Sequence, residues 1–393
     1  MSIKMKYNLL YFFYCIAGCC FGGFVAVFLQ YKGVSNTAIG IVTGSGCVAS
    51  IFLTPYLSSQ VLKRPNLDAK KMIYILYVLL TAFFVLIVFI PLPAVIVMLI
   101  YTVLYAFYLS SGPFLQMIAS DYMQSGIEVN FGLARGLGSV AWAISALVFG
   151  FLVEAWNPTV LAYGMIVFIF ITLWTLGCMP YQKVISSSGK KGGSIWMLPK
   201  KYRIFFTMLL GFSLLLAAAS CLGTYLINIV KSLGRDTSFY GISVFLMAVS
   251  EMPVMALTPR LLKRMKTTSL ICIAGFCYIL RNFLICLAPN VFVLCLGMLF
   301  QGLSFGLMTA VITYYVIYNL SVEDQVAGQT IITVMTSGVG SMIGNLLGGV
   351  LQDHFGLNAM YLFVYVLTIA GALLIGLGGY LSKKANYRFE IKR

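Results

Sequence analysis

The stretch Met72-Ile73-Tyr74-Ile75-Leu76-Tyr77-Val78-Leu79-Leu80-Thr81-Ala82-Phe83-Phe84-Val85-Leu86-Ile87-Val88-Phe89-Ile90 contains no charged residue, no glycine and no proline. Lys70 and Lys71 precede it, and Pro91-Leu92-Pro93 closes it. At about 1.5 Å of rise per residue, a helix of this length crosses the roughly 30 Å hydrocarbon core of a bilayer. It is apolar all round, so it offers no face to water. In lipid, a helix satisfies its backbone polar groups internally. The stretch therefore predicts a transmembrane helix.

The rest of the chain extends that expectation. Hydrophobic residues make up 61% of its 393 residues and charged residues 9%, against about 25% charged in a soluble domain. Twelve apolar stretches are long enough to span, near 7–31, 37–62, 72–90, 94–122, 130–153, 159–179, 204–230, 238–262, 268–287, 291–318, 325–351 and 358–381. Lys63-Arg64-Pro65-Asn66, Asn157-Pro158 and Pro289-Asn290 punctuate the gaps. The first stretch begins behind Lys4 and Lys6 and contains Ile16-Ala17-Gly18-Cys19, which has the look of a cleavage box. It runs on to Leu29, too long for a signal-peptide core, so a first membrane helix is expected.

The one long gap, 180–203, is rich in Ser, Gly and Lys and divides the chain nearly in half. It predicts a flexible basic linker between a bundle over 1–179 and a bundle over 204–393. The halves repeat. Leu53-Thr54-Pro55 then Leu62-Lys63-Arg64 is echoed by Leu257-Thr258-Pro259 then Leu262-Lys263-Arg264. Gly150-Phe151-Leu152-Val153-Glu154 is echoed by Gly349-Val350-Leu351-Gln352-Asp353. The expected fold is an all-α membrane protein of twelve transmembrane helices, two six-helix bundles related by pseudo-two-fold symmetry. Repeats of this kind place a substrate site between the halves near the bilayer midplane. Gly132-x-x-x-Gly136 and Gly340-x-x-x-Gly344-x-x-x-Gly348 predict close helix packing, on surfaces that rock during transport.

The formal net charge of +16 would suggest nucleic acid in a soluble protein. Here 21 of the 26 Lys and Arg fall at the N-terminus, in 63–71, 180–203 and 260–266, and after 381. Lys32, Lys231 and Arg235 occupy the opposite loops. That asymmetry predicts an inner or plasma membrane protein with both termini cytoplasmic, its basic loops facing anionic lipid. His354 is the single histidine, and none of the ten cysteines forms a Cys-x-x-Cys pair. No zinc site, cofactor or catalytic triad is expected, and the cysteines are expected to pack as small apolar residues.

Charges inside membrane helices are costly and mark function. Glu251 is the only acid expected deep in a span, and Arg135 and Arg281 are the only basic residues inside spans. They form either a structural ion pair of Glu251 with Arg281, or a polar binding and coupling site. Arg135 and Trp142 stand seven apart, on one helix face. A guanidinium and an indole on one face suit a polar ring solute.

The stretch Phe131-Gly132-Leu133-Ala134-Arg135-Gly136-Leu137-Gly138-Ser139-Val140-Ala141-Trp142-Ala143 resembles the fifth helix of the lactose permease-like oligosaccharide/proton symporters, a branch of the major facilitator superfamily. The whole chain resembles that superfamily in topology, and Gly344–Gly356 resembles its helix 11–12 signature. The likeness implies that Arg135 binds and Trp142 stacks on substrate, with Ser139 beside it. It aligns Gln116 with a substrate-binding carboxylate and Arg281 with a proton-coupling arginine. Gln301 and Ser304 fall where that family has a coupling histidine and glutamate.

The site expected from these residues has Arg135, Trp142, Gln116, Ser139 and Gln301 on the substrate, with Glu251 and Arg281 coupling a proton. The expected function is proton-coupled symport of a sugar, glycoside or nucleoside by a monomeric carrier. Two arginines against one glutamate leave an alternative, an aromatic or other organic acid, as in phenylpropionate-type permeases. An efflux carrier of the same fold is a further alternative. No catalytic grouping, pore loop or Gly-x-x-x-x-Gly-Lys-Ser/Thr motif supports an enzyme, channel or ATP-driven pump.

Overall fold

The computed structural model describes residues 2–64, 66–127, 129, 131–180 and 197–384. Most of the expected linker (181–196), the end of the tail (385–393) and Glu128 lie outside the described residues. The described chain is built of helices. Eleven are long and apolar enough to cross a membrane, and a twelfth span arises when the bent first pair is taken as one. In chain order they are α1 (Ile3–Gly23, continuing after a bend as Val25–Tyr31), α2 (Asn36–Lys63), α3 (Ala69–Phe89), α4 (Ala94–Gln124), α5 (Phe131–Ala155) and α6 (Thr159–Gly177). Then follow α7 (Arg203–Thr224), α8 (Thr237–Arg264), α9 (Thr267–Cys286), α10 (Val291–Asn319), α11 (Glu323–Phe355) and α12 (Leu357–Lys384).

Their starts follow capping chemistry. Ser35, Asp68 and Asn290 accept backbone N–H bonds from Ala38, Lys71 and Val293 at 3.3, 2.7 and 3.1 Å. Bulky apolar side chains such as Phe52, Leu99, Phe170 and Leu373 stand exposed on the helices. Water would penalise such a surface, whereas lipid covers it without cost.

The repeat extends beyond the sequence matches. α1 bends by 48° at Phe24, after a π-helical turn over Cys19–Gly23. α7 breaks at the corresponding Tyr225 and resumes as Leu226–Ser232. The turns that follow hold Gly33 at φ 77° and Gly234 at φ 69°, a conformation that costs glycine little and other residues much. The apolar run 7–31 is expected as a first membrane helix, and the bend falls within it. Gly22 and Gly23 remove the side chains that would hold the helix straight, and the π turn offsets its register.

Cα packing divides the chain into two compact units, Met1–Ser187 with Gly234–Phe245, and Ser188–Leu233 with Leu246–Arg393. In the first, α1 packs on α5 and α6, and α4 packs on α2 and α3. The first turns of α8 belong here. Gly241 meets Gly150 backbone to backbone, the Tyr240 hydroxyl donates to the Gly23 carbonyl, and Thr237 N donates to Glu154 Oε2 at 3.0 Å. In the second, α7 packs on α11 and α12, and α9 packs on α10 and α12.

Glycine placement corrects one expectation. Gly340, Gly344 and Gly348 of α11 do pack closely, but against Ser213, Ala217 and Cys221 of α7, inside the second unit. They bind two helices of one bundle rather than forming a rocking surface. In α5, a Cβ on Gly136 would meet nothing within 4 Å, whereas one on Gly138 would press on Tyr11 and Cys15 at 2.7 Å. Gly138 is therefore the close-packing glycine. The cause is rotation of α5, which turns Gly138 rather than Gly136 toward α1.

At one end of the second unit, a helical turn, Leu198–Lys201, precedes α7. Lys201 Nζ and the Tyr202 hydroxyl both donate to Asp324 Oδ2, at 2.5 and 2.9 Å. The bond to Asp324 holds Lys201 above its ordinary pKa. Asp324 thus ties the entry to α7 onto the start of α11.

Candidate functional site

Polar side chains gather separately in each unit. In the second unit, Gly302 is the residue that brings two of them together. It opens a π-helical segment of α10, Gly302–Gly306, and a Cβ there would collide with the Ser250 carbonyl of α8. Gly302 N also donates to Ser250 Oγ at 3.1 Å. Such insertions re-aim side chains and recur at functional sites. With α8 and α10 in backbone contact, Gln301 Nε2 donates to Glu251 Oε1 at 3.0 Å. The two had been given separate roles, one on the substrate and one on the proton.

Arg281 lies on α9 and is 1% exposed. Its Nη1 donates to Asn282 Oδ1 at 3.0 Å, and Asn282 Nδ2 donates to Thr368 Oγ1 of α12 at 2.7 Å. The Glu251 charge acts on both Arg281 and Tyr278. Arg281 Nε, Gln301 Oε1 and the Tyr278 hydroxyl are buried with no hydrogen-bond partner among the described residues. Each such atom costs roughly 1–3 kcal/mol. Three of them on α9 and α10, one on the amide bonded to Glu251, are suited to a polar ligand or a proton-dependent rearrangement. Ser304 is buried and returns its hydroxyl to the Phe300 carbonyl at 2.9 Å, a helix-internal role.

In the first unit, Arg135 is exposed near the start of α5, not buried as expected. It sits where its charge acts on Tyr11 and Cys15 of α1. Ser139 lies one turn on and donates weakly to the Arg135 carbonyl at 3.4 Å. Trp142 is half-buried, and a Cβ on Gly23 would stand 3.1 Å from its Cζ2. The π-helical turn and bend of α1 thus lie against the indole. Gln116 is exposed on α4 and makes no hydrogen bond to these residues.

The sequence reading missed the tyrosines beside them. Tyr14 of α1 stacks on Tyr77 of α3 at 6.0 Å and on Tyr108 of α4 at 6.4 Å, and its hydroxyl pairs with Ser111 Oγ at 3.2 Å. Gly18 and Gly22 make room for the Tyr108 ring, since a Cβ on either would stand within 3 Å of it. The signal was available: Tyr7, Tyr11 and Tyr14, and again Tyr101, Tyr105 and Tyr108, recur at four- and three-residue steps, one face of a helix. The Asn282–Thr368 link had no such signal, because its partners are far apart in the chain.

Eleven or twelve apolar spans among the described residues, with a polar cluster in each of the two compact units, describe a membrane transporter. The model of the MFS_1-like family matches residues 4–363, and the chain belongs to that family, of the major facilitator superfamily. It is similar to an uncharacterized transporter, YwbF, of Bacillus subtilis (strain 168), at 23% identity over 397 aligned positions, covering 98% of this chain and 95% of that protein. It is similar to the maltose permease of Geobacillus stearothermophilus at 24% identity over 255 positions, 63% of this chain and 62% of that protein. The fold matches the crystal structure of the nucleoside transporter NupG with a TM-score of 0.81, at 17% identity over 99% of this chain and all of that one. It also matches a bacterial homolog of the human lysosomal transporter Spinster, with a TM-score of 0.71 at 12% identity over 98% of each chain. These relatives are transporters, not enzymes.

Proposed function

We propose that this chain is a proton-coupled symporter of a small polar solute such as a sugar, glycoside or nucleoside, working by alternating access. The observation that carries the proposal is the Gln301–Glu251 hydrogen bond, beside a buried Arg281 whose Nε has no partner among the described residues. A carboxyl group in a membrane span that can gain or lose a proton, next to unsatisfied donors and acceptors, couples protonation to the binding of a hydroxyl-rich ligand. Arg135, Ser139 and Trp142 supply a guanidinium, a hydroxyl and an indole in the other half, with Gln116 as a further polar contact. The name of the maltose permease points to a sugar, and that of NupG to a nucleoside. The carrier acts as a monomer in the cell's inner or plasma membrane with both termini cytoplasmic, its repeats at 1–179 and 204–393 joined by the basic linker 180–203.

A thermal-shift screen of the purified chain tests the substrate class, since ligands that bind the folded state raise its apparent stability. Sugars, glycosides or nucleosides should raise the unfolding temperature. A rise confined to aromatic or other organic acids overturns this assignment and points to the two arginines as carboxylate ligands. Uptake into right-side-out vesicles separates import from efflux.

A further inference from the structure

We propose that the groove between α9 and α12, at their basic ends, binds an anionic glycerophospholipid. The groove is a cavity of about 1000 Å³ within the second unit. Its mouth carries three cations from three segments: Arg264 at the end of α8, Lys266 just before α9, and Lys383 at the end of α12. No acidic side chain lines it.

The polar end is built to receive a phosphate. Lys266 occupies the N-cap of the twenty-residue α9, and no side chain caps that terminus. The first-turn N–H groups of a helix attract anions. Thr268 also lines the groove, is 7% exposed, and makes no hydrogen bond among the described residues. An uncapped helix start, the unpartnered hydroxyl of the largely buried Thr268 and three cations therefore converge on one opening.

The other end of the groove is apolar. Gly376 of α12 leaves a trough beside Cys272 and Ile273 of α9, while Gly379 lets the Cys272 sulfur pack against α12, 2.6 Å from where a Cβ would stand. A Cβ on Gly376 would meet nothing within 4 Å, so the trough is open there. It runs along two membrane-spanning helices, where a soluble anion has nothing to gain and an acyl chain does. Basic pockets between spans are sites for anionic headgroups, and the joined apolar trough selects a lipid over free phosphate.

The test measures thermal unfolding of the full chain in an uncharged detergent with added phosphatidylglycerol, phosphatidylcholine or inorganic phosphate. Phosphatidylglycerol should raise the unfolding temperature saturably, and the other two should not. The triple variant Arg264→Gln/Lys266→Gln/Lys383→Gln should weaken the lipid effect on the order of 100-fold in concentration. Gly376→Leu, which fills open space, should weaken it as well while leaving lipid-free stability unchanged, and it decides the matter if the triple variant does not fold. Equal stabilisation by phosphatidylcholine, stabilisation by phosphate alone, or an undiminished lipid effect in Gly376→Leu overturns the proposal. None of these outcomes bears on the transported solute.

Discussion

Gln301 Nε2 and Glu251 Oε1 are 3.0 Å apart, and the other end of the same amide, Gln301 Oε1, is buried without a partner among the described residues. A carboxamide carries two donors on one side and an acceptor on the other, whereas a carboxyl group changes from acceptor to donor when it gains a proton. Turning the amide over presents Oε1 to a protonated Glu251. One pair of residues thus has a hydrogen-bonded arrangement for each protonation state. A histidine–glutamate pair, the arrangement implied by family resemblance at Gln301 and Ser304, would add a second titrating group; here the partner of the carboxyl group is neutral.

Replacing Gln301 with Leu removes the donor from Glu251 and places an apolar side chain in its stead. Stability should fall by about 0.5–1.5 kcal/mol, the net worth of one hydrogen bond to a partly buried carboxyl group. Unfolding of the purified variant reads this directly. An unchanged unfolding temperature, together with unchanged pH dependence of transport, would remove the pair from the mechanism.

The glycines of α5 and α11 make a paired prediction. Gly344→Ala drives a methyl group into the Ala217 carbonyl of α7 and should cost about 1–3 kcal/mol. Gly136→Ala meets open space and should be neutral or stabilising by up to about 1 kcal/mol. Equal effects in the two variants would mean that α11 does not approach α7 as described.

These contrasts show what the sequence makes legible. Span number and the twofold repeat follow from apolar length and punctuation, as at 72–90 and at the two Leu-Thr-Pro matches. Single residues that break membrane chemistry, such as Glu251 and Arg281, are also visible. The contacts between helices are not. Gly132-x-x-x-Gly136 and Gly340-x-x-x-Gly344 look alike as strings, yet helix rotation decides which glycine faces a neighbour. The π-helical turns at Cys19–Gly23, Gly302–Gly306 and Val334–Gly340 shift that rotation by one residue, and periodicity cannot register them. Hence Gln301 was read as a substrate contact, and its bond to Glu251 emerged only from the packing of Gly302 on α8.

Arg135 and Trp142 should separate electrostatic from stacking contributions. If Arg135 grips the solute through its planar fork, Arg135→Lys should fail to restore binding lost in Arg135→Ala. Trp142→Tyr should keep part of the affinity and Trp142→Ala should lose most of it, by on the order of tenfold or more for a lost aromatic stack. Binding isotherms on folded protein are the measurement. Full affinity in Arg135→Ala would remove that residue from the substrate site.

Orientation is tested by a reporter fused to the C-terminus. The basic loops predict that it is active only in the cytoplasm. Activity on the far side would reverse the assignment of both termini.

Glu251→Gln tests coupling. Glutamine is nearly isosteric with a protonated glutamate, and its amide N–H can donate to Gln301 Oε1 once that amide turns. The variant should therefore fold and be locked in the neutral arrangement. Such a carrier still cycles when substrate is present on both sides, so counterflow should persist. It has no proton to release, so accumulation driven by a pH gradient should be lost. A purely structural role for Glu251 as the counter-charge of Arg281 predicts a different outcome. Removing one member of a buried charge pair costs about 3–5 kcal/mol, and folded protein should then fall sharply. Measuring the yield of folded protein alongside counterflow separates the two. Normal yield with counterflow but no accumulation assigns the proton to Glu251. A folded variant that still concentrates substrate under a pH gradient places the coupling carboxyl group elsewhere.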